Sequence, residues 1–190
     1  MPRLTPEEYL ALERKAETRS EYHDGVVVGL AGALWAHNVL VSNLAVGITT
    51  RVRSKGCQAI TTDMKVWIPR TRRFLYPDVL VVCAKPEFRD SVTDVLLNPI
   101  LIVEVLSIST EAYDRGEKFA NYRTVDSLME YVLVAQDRVQ VESYLREDSG
   151  FWRYSAIEGD TETVPLVALS IELPLAEIYQ GVELPSSPPG

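Results

Sequence analysis

Two carboxylates stand where carboxylates are costly. Asp78 follows Tyr76-Pro77 and leads into Val79-Leu80-Val81-Val82, and Glu104 lies inside Ile-Leu-Ile-Val-Glu-Val-Leu. Apolar, β-branched runs of this kind are buried strands, and an ionised carboxylate in one must be paired. Two such acids on neighbouring strands repel each other unless a cation lies between them. A lysine, Lys118, follows on a helical segment. Two acids and a lysine at the end of a sheet are the parts of a metal-dependent site that cleaves phosphodiesters. Each residue also has a plainer reading. Asp78 could cap local backbone amides. Glu104 could pair with a buried arginine, and Lys118 could form a solvated i,i+4 pair with Asp114.

The elements that must position these residues can be read along the chain. Thr5 predicts an N-cap, with Pro6 at the first helical position and Glu8 three residues on; this helix is expected to end near Arg19. Asp24-Gly25 predicts a hairpin between two short strands. A second helix is expected from about Ala36 to Arg53, its core face made by Val41, Leu44, Ala45, Ile48 and Val52 and its end closed by Lys55-Gly56. Strands are expected over 57–60, 64–69, 76–83 and 99–106, a helix over 111–123, and then three strands of an antiparallel meander. A short helix near 174–179 precedes a Pro/Ser tail. Alternation places Val79 and Val81 on one face of their strand, and Asp78 with Leu80 on the other. The class is α/β, a mixed sheet flanked by helices, in one domain over residues 1–183 with a disordered tail over 184–190. Trp35, Trp67 and Trp152 are read as core or interface packing.

Charge and cysteine usage narrow the reading further. The net charge is -8, which argues against general affinity for phosphate backbones. The distribution is uneven. Arg51, Arg53, Lys55, Lys65, Arg70, Arg72 and Arg73 face a single acid, Asp63, between residues 51 and 73. That run is either a solvated basic loop or a local route for a phosphate chain. Arg70, Arg72, Arg73, Lys65, Arg51 and Arg53 are therefore the candidate nucleic-acid contacts. Cys57 and Cys83 have no motif spacing and read as reduced, mostly buried thiols of a cytoplasmic protein. No apolar run approaches the ~20 residues of a membrane span.

Three segments carry a resemblance: YPD around Asp78, VEVLS around Glu104, and YDRGEKF around Lys118. With them the chain resembles the Uma2 family of restriction-endonuclease-like proteins, within the PD-(D/E)XK nuclease superfamily, over nearly its whole length. The resemblance implies a restriction-endonuclease-like fold and metal-assisted hydrolysis of nucleic acid, with DNA favoured. Asp78, Glu104 and the backbone carbonyl of Val105 would hold Mg²⁺, or Mn²⁺ in its place. In the superfamily's usual pattern the lysine follows its acid by two positions on the same strand. That position is Leu106 here, and Lys118 matches the family's lysine on the following helix instead. The resemblance also implicates Glu21, although Ser20 precedes it where the family often has an aromatic residue, and His37, in an Ala-His-Asn segment. Asp63 matches a further family position expected to organise a strand start.

Two other classes stay open on the sequence. One is a nuclease fold without activity that serves as a binding or assembly module; the other is a hydrolase of a different phosphate ester. A homodimer is expected through the strands after residue 129 and the aromatic group Tyr144, Phe151, Trp152 and Tyr154.

Overall fold

The structure, a computed structural model, describes residues 3–61, 63–107 and 109–185. Most of the tail expected to be disordered therefore lies outside the described residues.

Two sheets organise the chain. The larger has six strands in the order β11-β10-β9-β8-β6-β3: β3 (Gln58–Thr61), β6 (Val79–Val82), β8 (Leu101–Leu106), β9 (Glu130–Ala135), β10 (Gln140–Arg146) and β11 (Trp152–Glu158). It is mixed, because β8 and β9 run parallel and the other neighbours are antiparallel. The smaller has the order β2-β1-β5-β4-β7: β1 (Ser20–His23), β2 (Val26–Gly29), β4 (Lys65–Ile68), β5 (Arg73–Leu75) and β7 (Val95–Leu96). The sequence reading expected one mixed sheet. It missed β5 and β7, which are only three and two residues long and too short to show a period. It also missed the hairpin of β12 (Thr163–Leu166) and β13 (Ile171–Pro174), where Pro165 and Pro174 hide the strands.

Alternation along β6 and β8 divides the core. Val79, Val81, Leu101, Val103 and Val105 face helix α2 (Trp35–Val52) through its buried Leu40, Leu44, Ile48 and Val52. Leu80, Val82, Ile102 and Leu106 face the opposite way, toward Tyr122, Leu128 and Tyr131. The face of α2 is rotated slightly from the one expected, because Leu40 fills the core and Ala45 does not. Gly47 eases the packing on that face, since a Cβ there would come within 2.9 Å of the side-chain ends of Leu173 and Glu177 and push them aside where α2 meets β13 and α5 (Leu175–Ile178).

Helix α1 (Pro6–Glu13) has the expected capping box: the Glu8 amide donates to Thr5, and the Thr5 amide to Glu8. It ends well before Arg19, because residues 14–19 offer no apolar side chain large enough to extend its buried face. Arg14 instead turns back to Asp90 at 2.7 Å and Asp94 at 2.6 Å. The β1–β2 turn is as expected, with Asp24 at φ 43° and Gly25 at φ 100°. At Gly25 a Cβ would also strike Arg3 at 2.7 Å.

Asp94 joins α1 to the smaller sheet, since it accepts from Arg14 and from Lys65. Those bonds, the Arg14 guanidinium first, hold its carboxyl at about 2 against an ordinary 3.8. A depressed carboxyl contributes stability above its unfolded value and loses it as the pH falls toward the folded one. The pair is partly open to solvent, so Asp94→Asn should cost about 1 kcal/mol at neutral pH, and the difference from wild type should vanish as the pH falls from 3.8 to about 2. Urea titrations across that window will test this.

One expectation is corrected here. Cys57 and Cys83 are not free thiols. They form a disulfide one step beyond the last β3–β6 pair, Gln58↔Val82. Adjacent antiparallel strands bring the two side chains together, which a separation of 26 residues in sequence could not show. Of the three tryptophans, Trp67 and Trp152 pack against Phe74 and Phe119, and Trp35 stands exposed at the start of α2, which leaves the interface reading for it.

Candidate active site

Register brings the two acids together. The last β6–β8 pair is Val79↔Val103, so one step further the chain presents Asp78 opposite Glu104. Pro77 has no N–H with which to continue the ladder, and Asp78 Oδ2 accepts the Val105 amide at 2.7 Å. The Asp78 side chain thus ends the pairing and is fixed at the sheet's edge. Its other oxygen, Oδ1, lies 3.1 Å from Nε2 of His37, which comes from the first turns of α2. Burial alone would raise the Asp78 carboxyl. His37, Lys118 and the Val105 amide together outweigh burial and hold it below its ordinary value.

Lys118 arrives from the other side. The segment expected as a helix over 111–123 is α3 (Glu111–Tyr113), a π turn (Asp114–Lys118) and α4 (Phe119–Tyr122). The widened turn directs both Asp114 and Lys118 inward, and both are buried. Their i,i+4 pair exists, at 3.6 Å, but it is not on a solvated face. The Lys118 ammonium lies 2.9 Å from Glu104 Oε1 and 3.9 Å from Glu21 Oε1, and it donates to the Tyr76 carbonyl at 3.4 Å. Burial opposes its charge, but Glu104, Glu21, Asp114 and Asp78 outweigh burial, so the amine stays protonated well above its ordinary range.

Glu21 reaches the site from β1. It accepts the Tyr76 amide at 3.0 Å and lies 3.2 Å from His23 Nε2, which in turn meets the Tyr113 hydroxyl at 3.3 Å. Burial would raise its carboxyl, and Lys118, His23 and the Tyr76 amide together lower it. Glu104 is different. Burial raises it well above its ordinary value, Asp78 and Asp114 push the same way, and Lys118 does not reverse the direction. Although Oε1 is close to the ammonium, it makes no aligned hydrogen bond. It is a buried acceptor without a well-directed donor.

These groups open on a cleft of about 290 Å³, lined among others by Arg19, Leu34, His37, Asn38, Asp78, Glu104, Val105, Asp114, Lys118 and Gln136. Asp78, Glu104, Lys118, Glu21 and His37 are thus brought together. The sequence reading missed Asp114, His23, Tyr113 and the backbone of Tyr76. Asp114 had a signal, its i,i+4 spacing from Lys118, but the neighbouring charges of Arg115 and Glu117 made the segment read as solvated and obscured it.

The basic run is placed elsewhere. Lys65 is buried, ion-paired to Asp94 at 3.1 Å and donating to the Tyr76 hydroxyl at 3.3 Å, so it is not available to a phosphate. Arg51 holds Glu177 through two bonds, at 2.8 and 2.7 Å. Arg73 pairs with Glu117 at 2.6 Å and Arg72 with Asp24 at 3.0 Å. Arg53 and Arg70 are exposed. None of these six lines the cleft, whereas Arg19 does. Asp63, exposed, pairs with Arg19 at 3.3 Å.

An acid ending one central strand, an acid in the next and a lysine delivered by the following helix, all on a mixed sheet, define a nuclease-like α/β protein. Comparison with known proteins agrees. The family model described as "Uma2: Putative restriction endonuclease" matches residues 6–176, and the chain belongs to that family. Two proteins of Synechocystis sp. (strain ATCC 27184 / PCC 6803 / Kazusa) are similar. "Uncharacterized protein sll1609" is 33% identical over 168 residues, covering 88% of this chain and 95% of its own. "Uncharacterized protein slr1290" is 34% identical over 181 residues, covering 95% and 94%. Among solved structures, a "putative nuclease belonging to DUF820" from Anabaena variabilis superposes with a TM-score of 0.76 at 16% identity, over 93% of this chain and 97% of that one. That likeness supports the fold.

Proposed function

We propose that this protein is a metal-dependent endonuclease, acting on DNA in preference to RNA, and that it works as a homodimer. The observation that carries the reading is a deficit of positive charge. Glu104, Glu21, Asp114 and Asp78 all act on one ammonium, that of Lys118. Glu104 and Asp114 stay raised above their ordinary values although the ammonium lies beside them, so one lysine does not support full ionisation of the cluster, and a divalent cation would. The buried, poorly bonded Oε1 of Glu104 fits such an ion as a hard oxygen donor. Among the described residues no group of three or more His, Cys, Asp or Glu side chains is disposed to hold a metal ion, so the ion proposed is Mg²⁺, or Mn²⁺ in its place, which one or two carboxylates can hold with several waters.

Asp78, Glu104 and the carbonyl of Val105 would hold the ion, whose chemistry is to lower the pKa of a bound water and to neutralise phosphate charge. The protein's own groups then have distinct roles. Lys118, kept protonated, serves as a fixed positive charge for an oxygen of the pentavalent phosphorus and not as a base. His37 orients Asp78. Glu21 positions Lys118 and the Tyr76 backbone without touching the substrate.

Cleavage assays with Mg²⁺ on duplex, single-stranded and structured DNA and RNA test the proposal. Cleavage by wild type should fall at least ~10³-fold in Asp78→Asn and in Glu104→Gln while circular dichroism is retained. Cleavage that persists in both variants would reject the site.

A further inference from the structure

The N-terminal hairpin carries a surface that its own fold does not cover. From Gly25 to Ala36 the sequence reads GVVVGLAGALWA, without one charged or hydrogen-bonding side chain apart from the Trp35 indole. This segment is not a core strand. Val26, Val27 and Val28 are 52%, 43% and 41% exposed, and Leu34 and Trp35 are 75% and 77% exposed. In a half-buried strand one face is covered and the other is polar. Here both faces of β2 are apolar and both are open.

The strand is also an edge. β2 ends the smaller sheet and, among the described residues, pairs with β1 alone. The Leu30 amide donates to the Arg19 carbonyl. By antiparallel alternation Val28 and Val26 also bond toward β1, and Val27 and Gly29 turn their N–H and C=O groups outward. No lysine, proline or bulge blunts this edge, the usual protections against pairing with another chain.

We infer that two copies of this chain associate through β2, pairing antiparallel across a two-fold axis and burying Leu34 and Trp35 at the rim. This rests on the dimer reading above and moves its surface. Of the aromatic group proposed from sequence, Tyr144 and Trp152 pack on Phe119, and Phe151 and Tyr154 stay exposed but belong to a strand that also carries the charged Arg153 and Glu158. Charge selects the occupant. A chain of net charge -8 repels its copy, and this uncharged segment is where two copies approach with least repulsion. Its own side chains offer a phosphate chain no cation, and the nearest, Arg3 and Arg19, stand at its two ends. An antiparallel pairing is self-complementary, as a closed dimer requires.

The surface is continuous with the candidate active site. Val28 is paired with Glu21 and Val26 with His23, so they flank those side chains on the same sheet face. The loop from Leu30 to Leu34 forms one wall of the cleft. The second copy's strand would prop that wall and extend it.

Light scattering on the full chain decides the matter. Wild type should give about twice 21.3 kDa, and Val27→Lys should give the single-chain mass with an unchanged circular dichroism spectrum, because the side chain is exposed. In Val27→Cys a mild oxidant should produce a covalent dimer that wild type does not form. If wild type is a dimer and Val27→Lys leaves it one, this surface is wrong and the dimer reading survives. A wild-type monomer at every concentration overturns both. A monomer that binds neutral phosphatidylcholine vesicles through Trp35 would also overturn the inference and assign the surface to lipid.

Discussion

Lys118→Met should lower the melting temperature by ~10 °C at neutral pH and abolish cleavage. The lysine is buried and surrounded by Glu104, Glu21, Asp114 and Asp78. Methionine fills a similar volume but leaves the carboxylates without a counter-charge. Breaking a buried pair from one side costs roughly 3–5 kcal/mol, and each kcal/mol is worth about 2–4 °C in a chain of this size. The pH dependence has a definite sign. Without the ammonium, the carboxyls of the folded variant rise above their unfolded values. The folded state then binds more protons than the unfolded one, and its stability falls as pH rises. The deficit relative to wild type should therefore be largest at neutral pH and shrink toward pH 4, a comparison that calorimetry at several pH values makes directly. Mg²⁺ should restore stability to this variant and not cleavage, which separates the structural role of the charge from its chemical one. An unchanged melting temperature would mean that Lys118 is not the hub of the cluster.

The second large effect concerns the metal. Millimolar Mg²⁺ or Mn²⁺ should raise the melting temperature of wild type by several degrees, since a ligand at 100 times its Kd adds about 2.7 kcal/mol to the folded state. Asp78→Asn and Glu104→Gln should each abolish the gain. The metal-free proteins should differ from each other. The Asp78 carboxyl is held below its ordinary value by His37, Lys118 and the Val105 amide, so Asp78→Asn should lose stability at neutral pH. The Glu104 carboxyl is held above its ordinary value, so Glu104→Gln, which keeps the shape without the charge, should lose less. Equal metal-induced shifts in wild type and both variants would place the cation elsewhere or nowhere.

Much of the site was legible in the sequence because its members violate local expectation. Glu104 is conspicuous in an apolar strand, and Asp78 follows a proline that marks a strand start. What could not be read is distance across the fold. Nothing in the spacing of Asp78 and Glu104 gives the register that sets them opposite each other. The basic run shows the converse failure. Lys65 and Arg51 look like free surface charge until tertiary structure supplies Asp94 and Glu177 as partners. Cys57 and Cys83 were misread for the same reason: their pairing is a property of strand adjacency. The elements themselves were largely visible where they were long, and invisible where two or three residues of strand sit between prolines and turns.

The π turn over Asp114–Lys118 bears on how this site tolerates change in chain length. A π turn holds one residue more than the α-helical turn it replaces, so the helix is out of phase with itself on either side. Before the break its phase is set by the cleft, toward which Asp114 points. After it, Phe119 and Tyr122 keep phase with the core, both packed on Tyr131. One short segment thereby satisfies two incompatible rotations, each offset by the extra residue. Length is consequently a more stringent constraint here than composition. Gly116 has open space around it, and a Cβ there would meet no neighbour. Loss of any one residue between Tyr113 and Phe119 would close the bulge, rotate the segment by about 100° and take either the lysine or the aromatic pair out of place.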